Sequence, residues 1–190
     1  QNFALWDVVE WVVQVVQKAQ AETNTRTCLI LSINREEPLE SANEIVDLAI
    51  AYHGTIVRAI DLVGDETRYP PELFVEPFRR AREAGVHITV HAGEAAGPES
   101  VREAVRSLGA ERIGHGIRSL EDSNVVQMVY ERKVTLEVCP TSNIQTGVVS
   151  WLAIHPLPDL MRLRLQTTIN TDNVSISDTT LTDEYVLAVT

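Results

Sequence analysis

The sequence is poor in cysteine and lacks a long apolar run. Its two cysteines, Cys28 and Cys139, are too few for a disulfide scaffold or a cysteine-rich zinc site. Such sparse use of cysteine is typical of a reducing compartment, so we expect a cytoplasmic protein. No segment reaches the roughly 18 consecutive apolar residues of a transmembrane helix, and we expect no membrane partner.

Positive charge is also scarce. The chain has 16 Lys and Arg against 27 Asp and Glu, which gives a net charge of −11. A surface this acidic repels phosphate backbones, which argues against nucleic acid as a partner and leaves a small neutral ligand or a cation open. The sequence also lacks a GxGxxG loop and a P-loop, so nothing indicates a dinucleotide or nucleoside triphosphate site.

The 190 residues are 44% hydrophobic and 23% charged, enough for one globular domain with a sizeable core. No Ser/Gly-rich linker divides the chain, so we expect a single domain over residues 1–190. It would consist of a helix at 1–22 followed by successive βα units over 27–190. The sequence begins at Gln1 without a Met, and we expect further sequence upstream.

The first helix is predicted from its polar residues. Asp7, Glu10, Gln14 and Gln17 form one stripe at helical spacing, while the other sides are apolar and should be mostly covered. Further along, Ser41 with Glu44 and Thr180 with Asp183 have the spacing of capping boxes, which predicts two helix starts.

Short β-branched runs alternate with these helical stretches. This alternation predicts parallel βα units and an α/β fold. The predicted strands are Thr27–Ile33, Thr55–Leu62, Val86–His91, Glu111–Ile113, Val134–Val138 and Gln166–Thr171.

Polar side chains stand where these strands end, at intervals of 24 to 33 residues, about one βα unit each time. In a parallel sheet all such positions open on the same side, where loops build active sites. The residues concerned are Asp61, His91, His115, Cys139 and Asp172.

The third strand alternates cleanly, so His87 and His91 share one face. His91 ends the strand, and Glu94 follows three residues later at the same mouth. This pattern suits a metal ligand beside a proton donor. The alternative is that both histidines are hydrogen-bonded interior residues, which is the interpretation we favour for His87.

Three further strand ends carry polar groups. His115 lies between two glycines, which suits a close approach to a ligand, or else a glycine turn with a surface histidine. Asp172 and Asn173 follow the last strand, where they could form part of a functional site or a structural Asx turn. Cys139 has no basic neighbour in sequence and is predicted to be a buried, inert thiol.

Taken in order, these segments resemble the adenosine deaminase family. Each motif alone is weak, but five in sequence at βα spacing are specific. The likeness runs from about Thr27 to the C-terminus. The matching motifs are Gly64-Asp65-Glu66, His91-Ala92-Gly93-Glu94, Arg112-Ile113-Gly114-His115-Gly116, Cys139-Pro140-Thr141-Ser142-Asn143 and Asn170-Thr171-Asp172-Asn173.

The resemblance implies a partial (β/α)₈ TIM barrel with about six of its eight parallel strands, the first two being absent. It also implies zinc-dependent hydrolysis of adenosine or 2′-deoxyadenosine to inosine or 2′-deoxyinosine and ammonia in purine salvage. One zinc per active site would lower the pKa of its bound water to about 7. The small-molecule partner would be a purine nucleoside, and the absent strands would come from the rest of the parent chain.

The resemblance also assigns roles to individual residues. It implies that His91 and Asp172 bind the zinc, and that His115 orients and deprotonates the water that zinc activates. It implies that Glu94 protonates the purine ring at N1 and that the backbone of Gly64 binds N3. Where family members have a second Asp, this chain has Asn173, which we expect to contact N7.

One motif of the family is absent from these 190 residues. The family takes two further zinc ligands from a His-x-His pair on its first barrel strand, and no such pair occurs here. We therefore expect the chain alone to be inactive. The alternatives are a sister specificity, for adenine or a modified adenine nucleoside, and a non-catalytic fragment or purine-binding module.

Overall fold

The computed structural model describes residues 3–189, which contain six strands and nine α-helices. The strands are β1 (Leu29–Asn34), β2 (Val57–Val63), β3 (His87–Ala92), β4 (Arg112–His115), β5 (Thr135–Val138) and β6 (Thr167–Ile169). The helices are α1 (Leu5–Thr23), α2 (Leu39–Ala51), α3 (Val75–Glu83), α4 (Pro98–Glu103), α5 (Ser123–Arg132), α6 (Pro140–Gln145), α7 (Leu157–Arg162), α8 (Val174–Ser177) and α9 (Leu181–Val189). Every predicted strand is present, with its bounds shifted by a few residues.

The strands form one parallel sheet in the order β1-β2-β3-β4-β5-β6, so each strand pairs with its neighbour in sequence. This order follows from the repeated strand–helix unit, because each crossover returns the chain to the next position along the sheet. All the carboxyl ends therefore lie on one edge. The register there aligns His91 with Gly114 and Ala92 with His115.

The hydrophobic core lies between the sheet and its covering helices. In β3, Ile88 and Val90 are fully buried in this core, and the alternation of a strand sends His91 to the opposite face. On the helical side, Val46 of α2 and Phe78 of α3 are likewise fully buried. Because the apolar face of each strand packs against the helices, the polar side chains that alternate with it point away from the helices.

Two expectations about exposure are wrong. Helix α1 is not mostly covered: Val9 and Val13 are buried, but Trp6 and Trp11 are exposed. The reason is that α1 meets the rest of the described chain along one stripe at i, i+4 spacing. His87 is not an interior residue either, because it lies at the amino end of β3 and pairs with Glu111 on the surface, Nδ1 to Oε2 2.9 Å.

The two predicted capping boxes have different outcomes. Before α9, Asp183 accepts from the main-chain N–H of Thr180 at 3.0 Å, and the Thr180 hydroxyl accepts from the N–H of Asp183 at 3.2 Å. That box is confirmed. The other is wrong, since α2 begins at Leu39 directly after Pro38, before Ser41. Among residues 3–189, no helix has the length and apolar character needed to cross a bilayer.

Candidate active site

Three strand ends bring the candidate residues together. His91 is the penultimate residue of β3 and His115 the last residue of β4, and their rings meet edge to face with centroids 5.2 Å apart. Asp172 follows β6 and lines the same recess of about 270 Å³. Gly114 makes this approach possible, because a Cβ there would lie 2.8 Å from Nδ1 of His91.

His91 is oriented by a carboxylate. Its Nδ1 lies 2.9 Å from Oδ2 of Asp61, which lies in the last half of β2, and its Nε2 is left for another partner. Burial lowers the pKa of His91, but the hydrogen bond and charge of Asp61 outweigh it, so that the pKa is raised. A carboxylate behind an imidazole is the arrangement that commonly orients a histidine toward a metal.

Asp172 is oriented in a similar way by a hydroxyl. Oγ of Ser142, in α6, donates to Oδ2 of Asp172 at 2.7 Å, which leaves Oδ1 free of that bond. The backbone of Asp172 is left-handed, with φ of 55°, a conformation that Asp tolerates better than most residues. This turn directs the carboxylate back over the sheet edge.

These two side chains fit zinc as part of a centre. Imidazole nitrogen and carboxylate oxygen are both zinc ligands, and a catalytic zinc takes about three protein ligands. Within residues 3–189, no group of three or more His, Cys, Asp or Glu side chains is arranged to hold a metal ion by itself. His91 and Asp172 would therefore supply two donors, and a complete centre would need additional ones.

Glu94 and His115 lie side by side next to these two residues. Oε2 of Glu94 lies 3.4 Å from Nε2 of His115, and the Thr146 hydroxyl donates to Oε1 of Glu94 at 3.3 Å. Burial lowers the pKa of His115, with the charge of Glu94 opposing it. The lowered pKa favours the neutral imidazole of His115 beside Glu94.

The turn that carries Glu94 is held by a second carboxylate. Glu66 accepts from the main-chain N–H groups of Gly93, Glu94 and Ala96 at 2.9, 2.9 and 2.8 Å, and from the hydroxyl of Ser100 at 2.6 Å. Glu66 is buried. Its positioning role was not predicted from the sequence.

The two candidate substrate contacts lie on loops beyond the strands. Gly64 has φ of 98°, and a Cβ there would lie 2.6 Å from Oδ1 of Asn34, so this loop requires glycine. Asn173 caps α8, because its Oδ1 accepts from the N–H groups of Ser175 and Ile176 at 3.0 and 3.1 Å. The cap leaves its Nδ2 as a donor, and its contact with purine N7 stays a prediction.

Arg35 is a site residue that the sequence analysis missed. It follows β1 and is 1% exposed, with Nη1 donating to the carbonyl oxygen of Tyr69 and Nη2 to that of His91, both at 2.7 Å. Its position, one βα unit before Asp61, was the available signal. Cys139 behaves as predicted: it is buried, and burial raises the pKa of its thiol.

The sequence matches a protein family over nearly its whole length. The family model described as adenosine deaminase matches residues 2–190. The chain belongs to the adenosine deaminase family. The resemblance expected from the five motifs is thereby confirmed.

Curated adenosine deaminases are the relatives found by sequence. The chain is 42% identical over 181 residues to adenosine deaminase of Yersinia pseudotuberculosis serotype IB, covering 95% of this chain and 54% of the relative. It is 40% identical over 184 residues to adenosine deaminase of Clostridium kluyveri, covering 97% of this chain and 53% of the relative. The chain therefore spans about half the length of the curated adenosine deaminases that it matches.

Solved structures agree with the family and with the fold. An adenine deaminase from Arthrobacter aurescens matches with a TM-score of 0.91 and 34% identity, over 98% of this chain and 57% of that one. An amidohydrolase from Burkholderia ambifaria with bound Zn matches with a TM-score of 0.91 and 28% identity, over 98% and 52%. An N6-methyl-AMP deaminase from Arabidopsis thaliana matches with a TM-score of 0.78 and 32% identity, over 85% and 47%.

These neighbours are TIM-barrel amidohydrolases, and the chain covers about half of each. The prediction of a partial (β/α)₈ barrel is therefore confirmed. Its six parallel strands in sequential order are the repeat from which such a barrel is built.

Proposed function

We propose that the protein containing this chain is a zinc-dependent deaminase that hydrolyses adenosine or 2′-deoxyadenosine to inosine or 2′-deoxyinosine and ammonia, a reaction of purine salvage in the cytoplasm. The observation that carries the proposal is the convergence of His91, Glu94, His115 and Asp172 at the carboxyl edge of one parallel sheet. The relatives named adenosine deaminase support the substrate.

The metal would be held in part by Nε2 of His91 and Oδ1 of Asp172, the two atoms that Asp61 and Ser142 leave free. Zinc supplies a Lewis acid that makes water nucleophilic near neutral pH. The Burkholderia ambifaria structure with bound Zn supports zinc as the metal. These donors would bind a single zinc ion in each active site.

The chain's own residues would divide the remaining work. Glu94 would donate a proton to N1 of the purine. This proton neutralises the negative charge that develops on N1 as water adds at C6. His115, beside Glu94, orients the attacking water, and the resemblance also gives it the role of proton acceptor. The main chain of Gly64 and the amide of Asn173 would hold the purine edge.

A second candidate is a sister specificity in the same site. The adenine deaminase from Arthrobacter aurescens and the N6-methyl-AMP deaminase from Arabidopsis thaliana are both neighbours of this chain. Adenine lacks the ribose, and N6-methyl-AMP adds a phosphate and a methyl group. The residues that meet the ribose, the phosphate and the N6 substituent would decide between the three substrates.

The proposal is tested with the full-length protein and a panel of substrates. Ammonia release is measured with adenosine, 2′-deoxyadenosine, adenine and N6-methyl-AMP, before and after chelation and after zinc is restored. We expect the largest kcat/KM for the two nucleosides, with activity lost on chelation and regained with zinc. A larger value for adenine or N6-methyl-AMP would replace the proposal with that specificity. No turnover of any of them would favour a binding module.

A further inference from the structure

Two buried histidines lie on either side of one buried amide beneath the site. Asn143, in α6, places Nδ2 at 3.1 Å from Nδ1 of His115 and Oδ1 at 3.3 Å from Nε2 of His155, which precedes α7. All three side chains are buried. No sequence pattern assigns a role to His155, and Asn143 is only part of one of the five motifs.

The direction of this chain of hydrogen bonds is fixed at its far end. The main-chain N–H of Leu157 donates to Nδ1 of His155 at 3.0 Å. A backbone N–H can only donate, so Nδ1 of His155 is the acceptor and carries no proton. Burial lowers the pKa of His155, which favours the neutral ring with its single proton on Nε2.

The protonated nitrogen of His155 in turn fixes the orientation of the Asn143 amide. Since Nε2–H of His155 donates, the group of Asn143 that faces it is the carbonyl oxygen Oδ1. The other end of the amide, Nδ2, is a donor only, and it faces Nδ1 of His115. Nδ1 of His115 is therefore an acceptor as well, and its neutral ring carries the proton on Nε2.

We propose that Asn143 and His155 are positioning residues that set the tautomer of His115, so that its Nε2–H rather than a lone pair faces Glu94. The tautomer is a property of this chain, and its meaning for catalysis rests on the proposed function. Nε2 of His115 lies 3.4 Å from Oε2 of Glu94. In the resting site His115 is thus a hydrogen-bond donor.

This assignment changes the role that the resemblance gives to His115. An imidazole that already carries a proton on Nε2 has no lone pair there to take a proton from water. His115 instead directs an N–H at the carboxylate or at an oxygen bound beside it. With Nε2 of His115 protonated, the carboxylate of Glu94 beside it is the candidate proton acceptor, and the proposed function also makes Glu94 the proton donor to the purine.

Imidazole NMR tests the tautomer without substrate. The full-length protein is labelled with ¹⁵N-histidine, and long-range ¹H–¹⁵N correlations separate protonated from unprotonated ring nitrogens. The His115→Gln variant removes one set of signals and thereby assigns them to His115. We expect Nε2 of His115 to be protonated and Nδ1 unprotonated. The reverse pattern in the unaltered protein would overturn the proposal.

Matched variants test the two positioning residues. Asn143→Asp replaces the amide donor with an acceptor and should move the proton of His115 to Nδ1. His155→Leu removes the donor that fixes the amide, which allows it to turn over, and should have the same effect. His155→Gln keeps an N–H at the place of Nε2 and should retain the original tautomer. Unchanged His115 signals in folded Asn143→Asp and His155→Leu proteins would contradict the proposal.

Turnover of adenosine gives a second measurement. We expect Asn143→Asp and His155→Leu to lower kcat by about 10²–10⁴-fold, the usual contribution of a placed catalytic proton, with little change in KM. His155→Gln should recover most of the activity lost in His155→Leu. The NMR result stands even where adenosine is not the substrate, so failure of the tautomer and failure of the proposed function are distinguishable. If circular dichroism shows that both variants are unfolded, the imidazole NMR spectrum of the unaltered protein alone decides whether the proposed tautomer is present.

Discussion

Nη2 of Arg35 donates a hydrogen bond of 2.7 Å to the main-chain oxygen of His91. Through Nη1, the same guanidinium holds the carbonyl oxygen of Tyr69, so one planar group joins the end of β3 to the loop that follows β2. Burial lowers the pKa of Arg35, and the charges of Glu66 and Asp61 oppose this. The backbone that presents the His91 ring is therefore anchored by a buried cation.

We expect Arg35→Met to lower the free energy of unfolding by about 3 kcal/mol. Two charge-assisted hydrogen bonds are worth about 1.5–3 kcal/mol each, and relief of the buried cation offsets part of their loss. Urea unfolding measures the change, with Arg26→Met, at an exposed position, as the control. Equal midpoints for the two variants would show that the guanidinium does not stabilise the fold.

Asp61→Asn should weaken zinc binding by about 10–100-fold, the usual effect of losing the carboxylate behind a metal-binding histidine. His91→Ala should weaken it further, because a ligand itself is lost. Both are measured in the full-length protein by competition with a chromophoric chelator. Asp7→Asn, on the exposed side of α1, is the control. An unchanged zinc affinity in the His91→Ala variant would show that His91 is not a metal ligand.

Glu94→Gln should lower turnover of adenosine by about 10²–10⁴-fold while zinc stays bound. The amide keeps the shape of the side chain but has no acidic proton to deliver to N1. Steady-state kinetics and metal analysis of the same preparation are the two measurements. Glu99→Gln, on the exposed first turn of α4, is the control. Loss of zinc in Glu94→Gln would make Glu94 a ligand instead.

Asn173→Asp separates capping from substrate binding. Asp keeps the acceptor that caps α8, whereas Asn173→Ala loses it at a cost of about 0.5–2 kcal/mol in stability. Both lose the neutral donor to N7, so affinity for adenosine should fall roughly two- to tenfold, the equivalent of about 0.5–1.5 kcal/mol. Comparing adenosine with its 7-deaza analogue checks this. Equal discrimination by the unaltered and Asn173→Ala proteins would mean that N7 is read elsewhere.

A protein limited to residues 1–190 should bind zinc weakly and release no ammonia from adenosine. Residues 3–189 bring only His91 and Asp172 to the proposed centre, where a catalytic zinc takes about three protein ligands. Zinc titration and an ammonia assay on this fragment, beside the full-length protein, give the comparison. Turnover comparable to that of the full-length protein would require a ligand set other than the one proposed.

The fold was predictable because its signals are local. The β-branched run Val86–His91 predicted β3, and the βα spacing predicted the parallel order. The last strand was overestimated: Gln166–Thr171 was predicted, whereas β6 spans Thr167–Ile169. Its ladder with β5 ends at Val138, because α6 begins with Pro140 and the chain turns away.

The site was predictable only in part, because a strand end reveals a polar residue but not its partners. His91, His115 and Asp172 were found from their spacing. Arg35 and His155 were not, since Arg35 bonds to His91 56 residues away and His155, which precedes α7, bonds to the amide of Asn143 in α6. The βα spacing marks the position of Arg35, but the partners of both residues depend on tertiary packing, which no local pattern encodes.

The four hydrogen bonds that converge on Glu66 have a consequence for motion. The amide protons of Gly93, Glu94 and Ala96 share one acceptor side chain, so withdrawal of that carboxylate exposes all three to solvent together. Their hydrogen-exchange rates should therefore rise and fall as a group. We therefore expect the opening of the turn that carries Glu94 to depend on a side chain 28 positions earlier in the sequence.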